Sequence, residues 1–238
     1  MRRDYIKWYS PSLHRDMELL AYGDRGFPLV VFPTSGGRFH EYEDGRMIDA
    51  LAPKIEAGEL QVVCVDSVDR ETWYARWKSP EDRLNRQNAF DAYLVNELTP
   101  FIKDRTTWPQ FATTGCSFGG YHALNFALRH PDLVPYAVSM SGAFDIPRRF
   151  LPDGFNNNDA FFHSPLEYLP GNQDPWFLER LRRNYYVLGV GNHDPLFDNN
   201  VKMAHVLGAK GIPHNLEVWE GFVHDWPWWH QMARKFFS

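Results

Sequence analysis

The stretch Thr114-Gly115-Cys116-Ser117-Phe118-Gly119-Gly120-Tyr121-His122 decides the fold of this chain. A strand-type run at residues 111–114 leads into it, and a helical pattern at residues 123–130 leads out and stops before Pro131. This order predicts a strand, a sharp turn and a helix, with Gly-x-Ser-x-Gly at the corner. A serine at such a corner has a strained backbone and projects its hydroxyl above the sheet, whereas side chains at the glycine positions would collide with the neighbouring strand and helix. The context therefore predicts that Ser117 is a nucleophile.

A serine hydroxyl is a poor nucleophile by itself, so the motif predicts a histidine base and a carboxylate that orients it. In hydrolases with this turn, the acid and then the histidine follow the serine along the chain. Asp194 comes just after an apolar strand-type run at residues 185–190. His224 follows a later run at residues 215–219, in a loop before the last predicted helix. The sequence therefore predicts a catalytic triad of Ser117, Asp194 and His224.

A second aspartate competes with Asp194 for the role of the acid. Asp198 lies four residues further on, and its alternative role is to cap a helix that begins at Asn199. Asp225 is adjacent to His224 in sequence, which usually prevents a side chain from reaching that imidazole properly. We expect Asp225 to anchor its loop instead.

The resemblance to a known family becomes specific when several segments are taken together. They are similar to the α/β-hydrolase superfamily, and within it to the "Putative esterase" family, which includes esterase D (S-formylglutathione hydrolase), feruloyl esterases and the antigen 85 mycolyltransferases. The resemblance covers most of the chain from about residue 29 to residue 237 and implies an acyl-serine mechanism without a cofactor. The matching segments are residues 92–102, 115–121, 127–132, 141–145, 191–194 and 224–229.

Acyl transfer also requires two backbone N–H groups that stabilise the tetrahedral oxyanion. One is predicted to be the N–H of Phe118, directly after the nucleophile. The other should come from the loop at residues 32–37, where many relatives carry His-Gly and this chain has Pro33-Thr34. Ser35 is the predicted donor, with Thr34 or Gly36 as alternatives.

Strand and helix patterns alternate along the chain, which predicts a single α/β domain over residues 1–238. Its 238 residues and 44% hydrophobic content suffice for one substantial core. The resemblance implies an α/β-hydrolase fold with a mostly parallel sheet of about eight strands, helices on both faces and no large lid domain. Predicted strands are a pair at 5–22, then 29–32, 61–65, 111–114, 136–140, 185–190 and 215–219; predicted helices are 44–57, 86–103, 123–130, 199–210 and 228–237, with a short helix ending at 183 and a loop-rich excursion at 145–174.

Two groups of aromatic residues follow predicted strands, at the sheet edge where open α/β folds bind ligands. We predict Trp73, Tyr74 and Trp226 as walls of a substrate pocket, and packing in the core is an equal alternative for each. The full groups are Trp73, Tyr74 and Trp77 after the strand at 61–65, and Trp226, Trp228 and Trp229 after His224.

Composition excludes several function classes. A net charge of −5 and a pI near 6.0 leave no basic footprint for nucleic acid or an anionic membrane. The N-terminus lacks the apolar run of a secretory signal, and no stretch is long enough to span a bilayer. Cys64 and Cys116 are predicted to be buried thiols, which favours a reducing cytoplasm.

No metal-ligand cluster or dinucleotide fingerprint is present, so we expect neither a metal nor a cofactor.

These observations predict a serine esterase that hydrolyses a carboxylic ester, or alternatively a thioester, of a small molecule. One alternative is an acyltransferase that uses the same acyl-enzyme, which the antigen 85 resemblance permits. Another is a non-catalytic binding protein that keeps the same crevice. The natural acyl and alcohol groups and the oligomeric state stay open at this point.

Overall fold

The Ser117 turn lies near the centre of an eight-stranded sheet in the computed structural model of the chain. The structure describes residues 1–221 and 224–238; Phe222 and Val223, in the loop predicted to lead to His224, lie outside the described residues. The strands are β1 (Arg3–Ser10), β2 (Arg15–Tyr22), β3 (Phe27–Phe32), β4 (Leu60–Val65), β5 (Ala112–Cys116), β6 (Tyr136–Met140), β7 (Tyr185–Gly191) and β8 (His214–Trp219), in the sheet order β1-β2-β4-β3-β5-β6-β7-β8.

Only β2 runs antiparallel to the rest of the sheet. β2 pairs antiparallel with β1 and β4, whereas β3 to β8 are parallel to one another, with Val31 opposite Thr114 and Cys116 opposite Met140. Parallel strands place all their carboxyl ends at one edge of the sheet. The loops after β3, β5, β6, β7 and β8 therefore meet at that edge, and the predicted α/β-hydrolase architecture is confirmed.

Helices cover both faces of the sheet, because alternate residues of each parallel strand are buried on opposite sides. Val30 and Phe32 belong to one apolar core, and Leu29 and Val31 belong to the other. The helices are α1 (Glu41–Asp44), α2 (Met47–Glu56), α3 (Pro80–Tyr93), α4 (Thr99–Arg105), α5 (Phe118–Arg129), α6 (Ile146–Phe150), α7 (Asn158–Phe162), α8 (Pro165–Gly171), α9 (Pro175–Leu181), α10 (Phe197–Ala209) and α11 (Trp226–Phe236), with a π-helical turn, Leu94–Leu98, joining α3 to α4.

The structure differs from the sequence prediction at the start of one helix and in the excursion at residues 145–174. The helix predicted from residue 86 begins at Pro80, because the Ser79 hydroxyl accepts the Asp82 N–H at 3.1 Å and proline suits the first helical turn. The excursion predicted as loop-rich contains the three short helices α6, α7 and α8. Asn157 caps α7 by accepting N–H groups from Asp159 and Ala160.

Both cysteines are buried free thiols, as predicted, and burial raises the pKa of each. Cys64 lies on β4 and Cys116 on β5, with their side chains in the core that faces α2 and α11. Within the described part of the chain, no helix has the length and apolar character needed to cross a membrane.

Candidate active site

The turn between β5 and α5 holds Ser117 in a strained conformation, with φ 56° and ψ −117°. Its N–H donates to the Met140 carbonyl at 2.8 Å, which fixes the turn against β6. A Cβ atom at Gly115 would lie 2.3 Å from the backbone of Gly119, and one at Gly119 would lie 2.3 Å from the Phe32 carbonyl oxygen. The two glycines are therefore required by space, as the sequence pattern predicts, so that helix, turn and strand can approach one another.

The loops after β5, β7 and β8 bring Ser117, Asp194 and His224 into one hydrogen-bonded chain. The Ser117 Oγ lies 3.1 Å from His224 Nε2. The His224 Nδ1 lies 3.0 Å from Asp194 Oδ2 and 3.2 Å from Oδ1. With Nδ1 donating to the carboxylate, Nε2 is left with the lone pair that can accept the serine proton.

Asp194, and not Asp198, contacts the imidazole. The Asp194 carboxylate is fully buried and also accepts the Leu196 N–H at 2.8 Å. Burial alone would raise the pKa of Asp194, but the hydrogen bonds from His224 and Leu196, together with the nearby Ser141 side chain, outweigh it and hold that pKa below its ordinary value. Asp198 is exposed in the first turn of α10, which begins at Phe197 rather than at the predicted Asn199.

The remaining aspartate of this region, Asp225, caps the last helix. Its Oδ1 accepts the Trp226 N–H at 2.7 Å at the start of α11. This contact agrees with the expected anchoring role and fixes the chain directly after His224.

Ser141, directly after β6, is a further polar residue beside the predicted acid Asp194. It is fully buried with φ 54°, and its side chain helps to lower the pKa of the Asp194 carboxyl group. The indole N–H of Trp229 donates to Ser141 Oγ at 3.2 Å, and the Trp229 ring packs edge-on to His224 with centroids 5.3 Å apart. No sequence motif points to Ser141, although its position directly after a parallel strand is the same kind of signal that identifies Asp194.

Phe118 and Ser35, the two predicted N–H donors, both line the groove beside Ser117. Phe118 is the first residue of α5, so its N–H has no acceptor within the helix. In the loop after β3, the Thr34 N–H donates to Glu41 Oε2 at 2.6 Å and the Gly36 N–H donates to Asp69 Oδ2 at 3.2 Å. The alternatives Thr34 and Gly36 are thus engaged, whereas no acceptor within residues 1–221 and 224–238 takes the Ser35 N–H.

Two carboxylates, the partly buried Glu41 and the buried Asp69, hold this loop in place, and sequence patterns did not reveal them. Glu41 also accepts the Thr34 hydroxyl at 2.7 Å. Asp69 accepts the Gly36 N–H with one oxygen and contacts His122 Nε2 at 2.8 Å with the other. His122 lies on α5, so this buried pair connects the loop to the helix that follows the nucleophile.

A groove of about 360 Å³ opens above Ser117 and His224. Tyr74 lines it and packs on Phe118 and Phe150 with ring centroids 5.8 and 4.9 Å apart. The opposite part of the wall is apolar. It comprises Ala143, Ile146, Pro195 and Leu196.

The other two predicted pocket walls do not border this groove. Trp73 is 1% exposed and packs in the core against Tyr121 and His163, with centroids 6.4 and 6.2 Å away. Trp226 packs edge-on to Tyr42 and lies against Gly45, where a Cβ atom would come within 2.8 Å of the indole. The groove is lined by Tyr74 and not by Trp73 or Trp226, because the Trp73 ring packs against α5 and the Trp226 ring packs against α1.

No group of three or more His, Cys, Asp or Glu side chains within residues 1–221 and 224–238 is arranged to hold a metal ion.

Comparison with known proteins yields a family match and distant relatives. The family described as "Putative esterase" matches residues 10–234. The diacylglycerol acyltransferase/mycolyltransferase Ag85A of Mycobacterium leprae (strain TN) is 25% identical over 221 residues, which cover 90% of this chain and 64% of that protein. This chain thus spans less than two thirds of the length of that relative.

Solved structures of similar fold cover nearly the whole chain. A ferulic acid esterase superposes with a TM-score of 0.78 at 17% identity and covers 98% of this chain and 95% of its own. An S-formylglutathione hydrolase from Agrobacterium tumefaciens superposes with a TM-score of 0.75 at 14% identity and covers 99% and 92% respectively. At these identities the similarity establishes a shared fold.

Proposed function

This chain belongs to the "Putative esterase" family, and we propose that it cleaves a carboxylic ester or thioester through an acyl-enzyme formed on Ser117. The observation that carries the proposal is the hydrogen-bonded chain from Ser117 Oγ through His224 to Asp194, with heavy-atom distances of 3.1 and 3.0 Å. These distances are within reach of direct proton transfer. This hydrogen-bonded arrangement also argues against a non-catalytic binding protein, since binding alone does not require three aligned reactive groups.

In the proposed mechanism, Ser117 Oγ attacks the carbonyl carbon while His224 Nε2 takes the hydroxyl proton. The Asp194 carboxylate holds Nδ1–H and stabilises the imidazolium that forms. Collapse of the tetrahedral intermediate breaks the bond to the alcohol or thiol, which leaves with the proton from His224. Water then attacks the acyl-enzyme in the same way and releases the acid, and Ser117 regains its proton.

The N–H groups of Phe118 and Ser35 supply the proposed oxyanion hole. Preorganised donors of this kind stabilise the developing negative charge without reorganisation during the reaction, and loss of one costs about a hundredfold or more in rate. The contacts of Glu41 and Asp69 to the N–H groups of the neighbouring Thr34 and Gly36 support Ser35 as the donor of that loop.

Acyl transfer to an alcohol is a second candidate, favoured by the similarity to an acyltransferase of Mycobacterium leprae. Both reactions share the acyl-enzyme and differ only in the acceptor. Product analysis in water with added alcohol distinguishes them. Acid as the main product indicates a hydrolase, and a new ester that saturates with alcohol concentration indicates a transferase.

A serine-directed organophosphate should label Ser117 and no other residue, because within residues 1–221 and 224–238 only the Ser117 hydroxyl hydrogen-bonds a histidine ring, at His224 Nε2 and 3.1 Å. The measurement is intact-protein mass spectrometry followed by peptide mapping, with activity assayed in parallel. One adduct per chain on the Ser117 peptide, formed in step with loss of esterase activity, supports the mechanism. Inactivation without a Ser117 adduct would contradict it.

Replacing Ser141 with alanine should lower kcat for a para-nitrophenyl ester by about ten- to a hundredfold, because the buried Asp194 carboxylate loses a polar neighbour that lowers its pKa and the Trp229 indole N–H loses its acceptor. KM should change little, because Ser141 contacts Asp194 and Trp229 rather than the groove. Steady-state kinetics measure both parameters.

The matched control for this prediction is Ser139→Ala on the same strand. Ser139 is equally buried, and its hydroxyl has no partner in the described part of the chain. Equal losses of kcat in the two variants would mean that Ser141 only supports packing, and thermal melts of both proteins would verify that each is folded.

A further inference from the structure

An arginine without a carboxylate partner borders the groove above Ser117. Arg76 is exposed and lines the same groove as Ser117 and His224. Its guanidinium lies over the Phe150 ring, 5.5 Å from the centroid, and this contact keeps the charge beside the groove. Within residues 1–221 and 224–238, Arg76 forms no ion pair.

A second unpaired arginine borders the adjoining groove of about 420 Å³, which Arg70 lines together with Ser35, Gly36, Tyr74 and Trp77. A Cβ atom at Gly36 would lie 3.4 Å from Arg70 Nε, so the guanidinium stands over the proposed oxyanion loop. The two grooves share Ser35 and Tyr74 and therefore adjoin each other. No carboxylate of the described residues pairs with Arg70 either.

Two neighbouring arginines, in contrast to Arg76 and Arg70, form ion pairs with carboxylates of the same protein. Arg149 lines the first groove but pairs with Asp145 at 2.6 Å, and Arg38 pairs with Asp66 at 2.7 Å. The protein as a whole carries a net charge of −5. Two unpaired cations on one cleft of an acidic protein create a local positive potential that favours anionic ligands.

A third cation adds to this potential. The Arg83 guanidinium is buried behind the groove and donates to the carbonyl groups of Thr72 and Trp73. Burial, and next the nearby charge of Arg76, lower the pKa of Arg83. The fold thus holds like charges close together beside the site, an arrangement that a bound anion would stabilise.

We propose that the ester substrate carries an anionic group, such as a carboxylate, which Arg76 and Arg70 bind while its apolar part lies against Tyr74 and Phe150. This inference rests on the proposed function and specifies its substrate class. Binding the anion would orient the ester carbonyl towards Ser117. A neutral ester of the same shape would lose this orientation.

The test compares matched esters that differ in charge. On the acyl side, mono-para-nitrophenyl adipate is compared with para-nitrophenyl hexanoate. On the alcohol side, para-acetoxybenzoate is compared with its methyl ester. The pair that shows the larger preference for the anionic ester identifies which part of the substrate carries the charge.

In Arg76→Gln, the ratio of kcat/KM for the anionic ester to that for the neutral ester should fall about two- to fivefold, and Arg70→Gln should lower the same ratio by a similar amount. The wild-type ratio should itself decline as salt is added, because exposed charges are screened. Lys78→Gln is the control, since Lys78 is an exposed cation two residues from Arg76 and does not line the groove. This variant should keep the wild-type ratio.

Equal effects of Arg76→Gln on anionic and neutral esters, or no effect on either, would overturn the inference. A wild-type ratio that does not respond to salt would also overturn it. Failure of the proposed function would look different, because Ser117→Ala would then still turn over the neutral esters. Loss of all turnover in that variant, with no charge preference in the wild type, would refute the substrate class alone.

Discussion

Replacing Ser117 with alanine should lower kcat for a short-chain para-nitrophenyl ester by roughly a millionfold, the effect of removing a serine nucleophile elsewhere. Without the Oγ that lies 3.1 Å from His224 Nε2, no acyl-enzyme can form. The Phe118 and Ser35 N–H groups would still stabilise an oxyanion, so a residual rate about a thousandfold above that of water is expected. Stopped assays with long incubations measure this residual rate.

The fold of this variant should be intact. Ser117 is only partly buried, and alanine can occupy the same backbone conformation as serine, so the free energy of unfolding should change by less than about 1 kcal/mol. Thermal melts check this point, and Ser139→Ala serves as a serine-to-alanine control away from the groove. Turnover near the wild-type rate in a folded Ser117→Ala protein would refute the acyl-serine mechanism.

The local sequence around Ser117 was sufficient to predict the centre of the fold. The need for glycine at positions 115 and 119 can be predicted from the sequence, because a side chain at Gly115 or Gly119 would collide with backbone atoms where β5, α5 and β3 approach one another. The prediction was less accurate for the start of α3, where Ser79 and Pro80 extend the helix beyond its apolar pattern. Capping residues act locally but interrupt the periodicity that identifies a helix.

The meeting of Ser117, Asp194 and His224 could also be predicted, because residues that follow parallel strands gather at one sheet edge. Their proposed roles remain to be tested. Position after a strand does not predict which way a side chain faces. Trp73 and Tyr74 follow the same strand, but only Tyr74 lines the groove, and Trp73 is buried in the core. The side chain of Arg83, on α3, binds the carbonyl groups of Thr72 and Trp73 and draws that turn into the core.

Long-range polar contacts were the least predictable part of the site. The pair of Asp69 and His122 connects residues 53 positions apart, and the contact of Trp229 with Ser141 spans 88 positions. Such pairs leave no periodic signal in a single sequence, because each partner occupies an ordinary position in its own element. They appear only when the tertiary packing is known.

Replacing Asp194 with asparagine should lower kcat by several thousandfold, as loss of the orienting carboxylate does in other triads. The asparagine amide would donate to Nδ1 instead of accepting from it, which favours the tautomer with its proton on Nε2. That tautomer cannot take the Ser117 proton. KM should change less than kcat, because the Asp194 carboxylate is fully buried and does not contact a substrate in the groove.

Asp198→Asn is the matched control, since Asp198 is exposed in the first turn of α10 and Asp194 lies four residues before it. A carboxylate at that helix N-terminus contributes about 0.3–1 kcal/mol to stability through the helix dipole, so the variant should melt at a slightly lower temperature and keep kcat within about twofold. Parallel kinetics and melts of the two variants separate catalysis from stability. A larger loss of kcat in Asp198→Asn than in Asp194→Asn would assign the acid to Asp198, and small effects in both would mean that His224 works without an orienting aspartate.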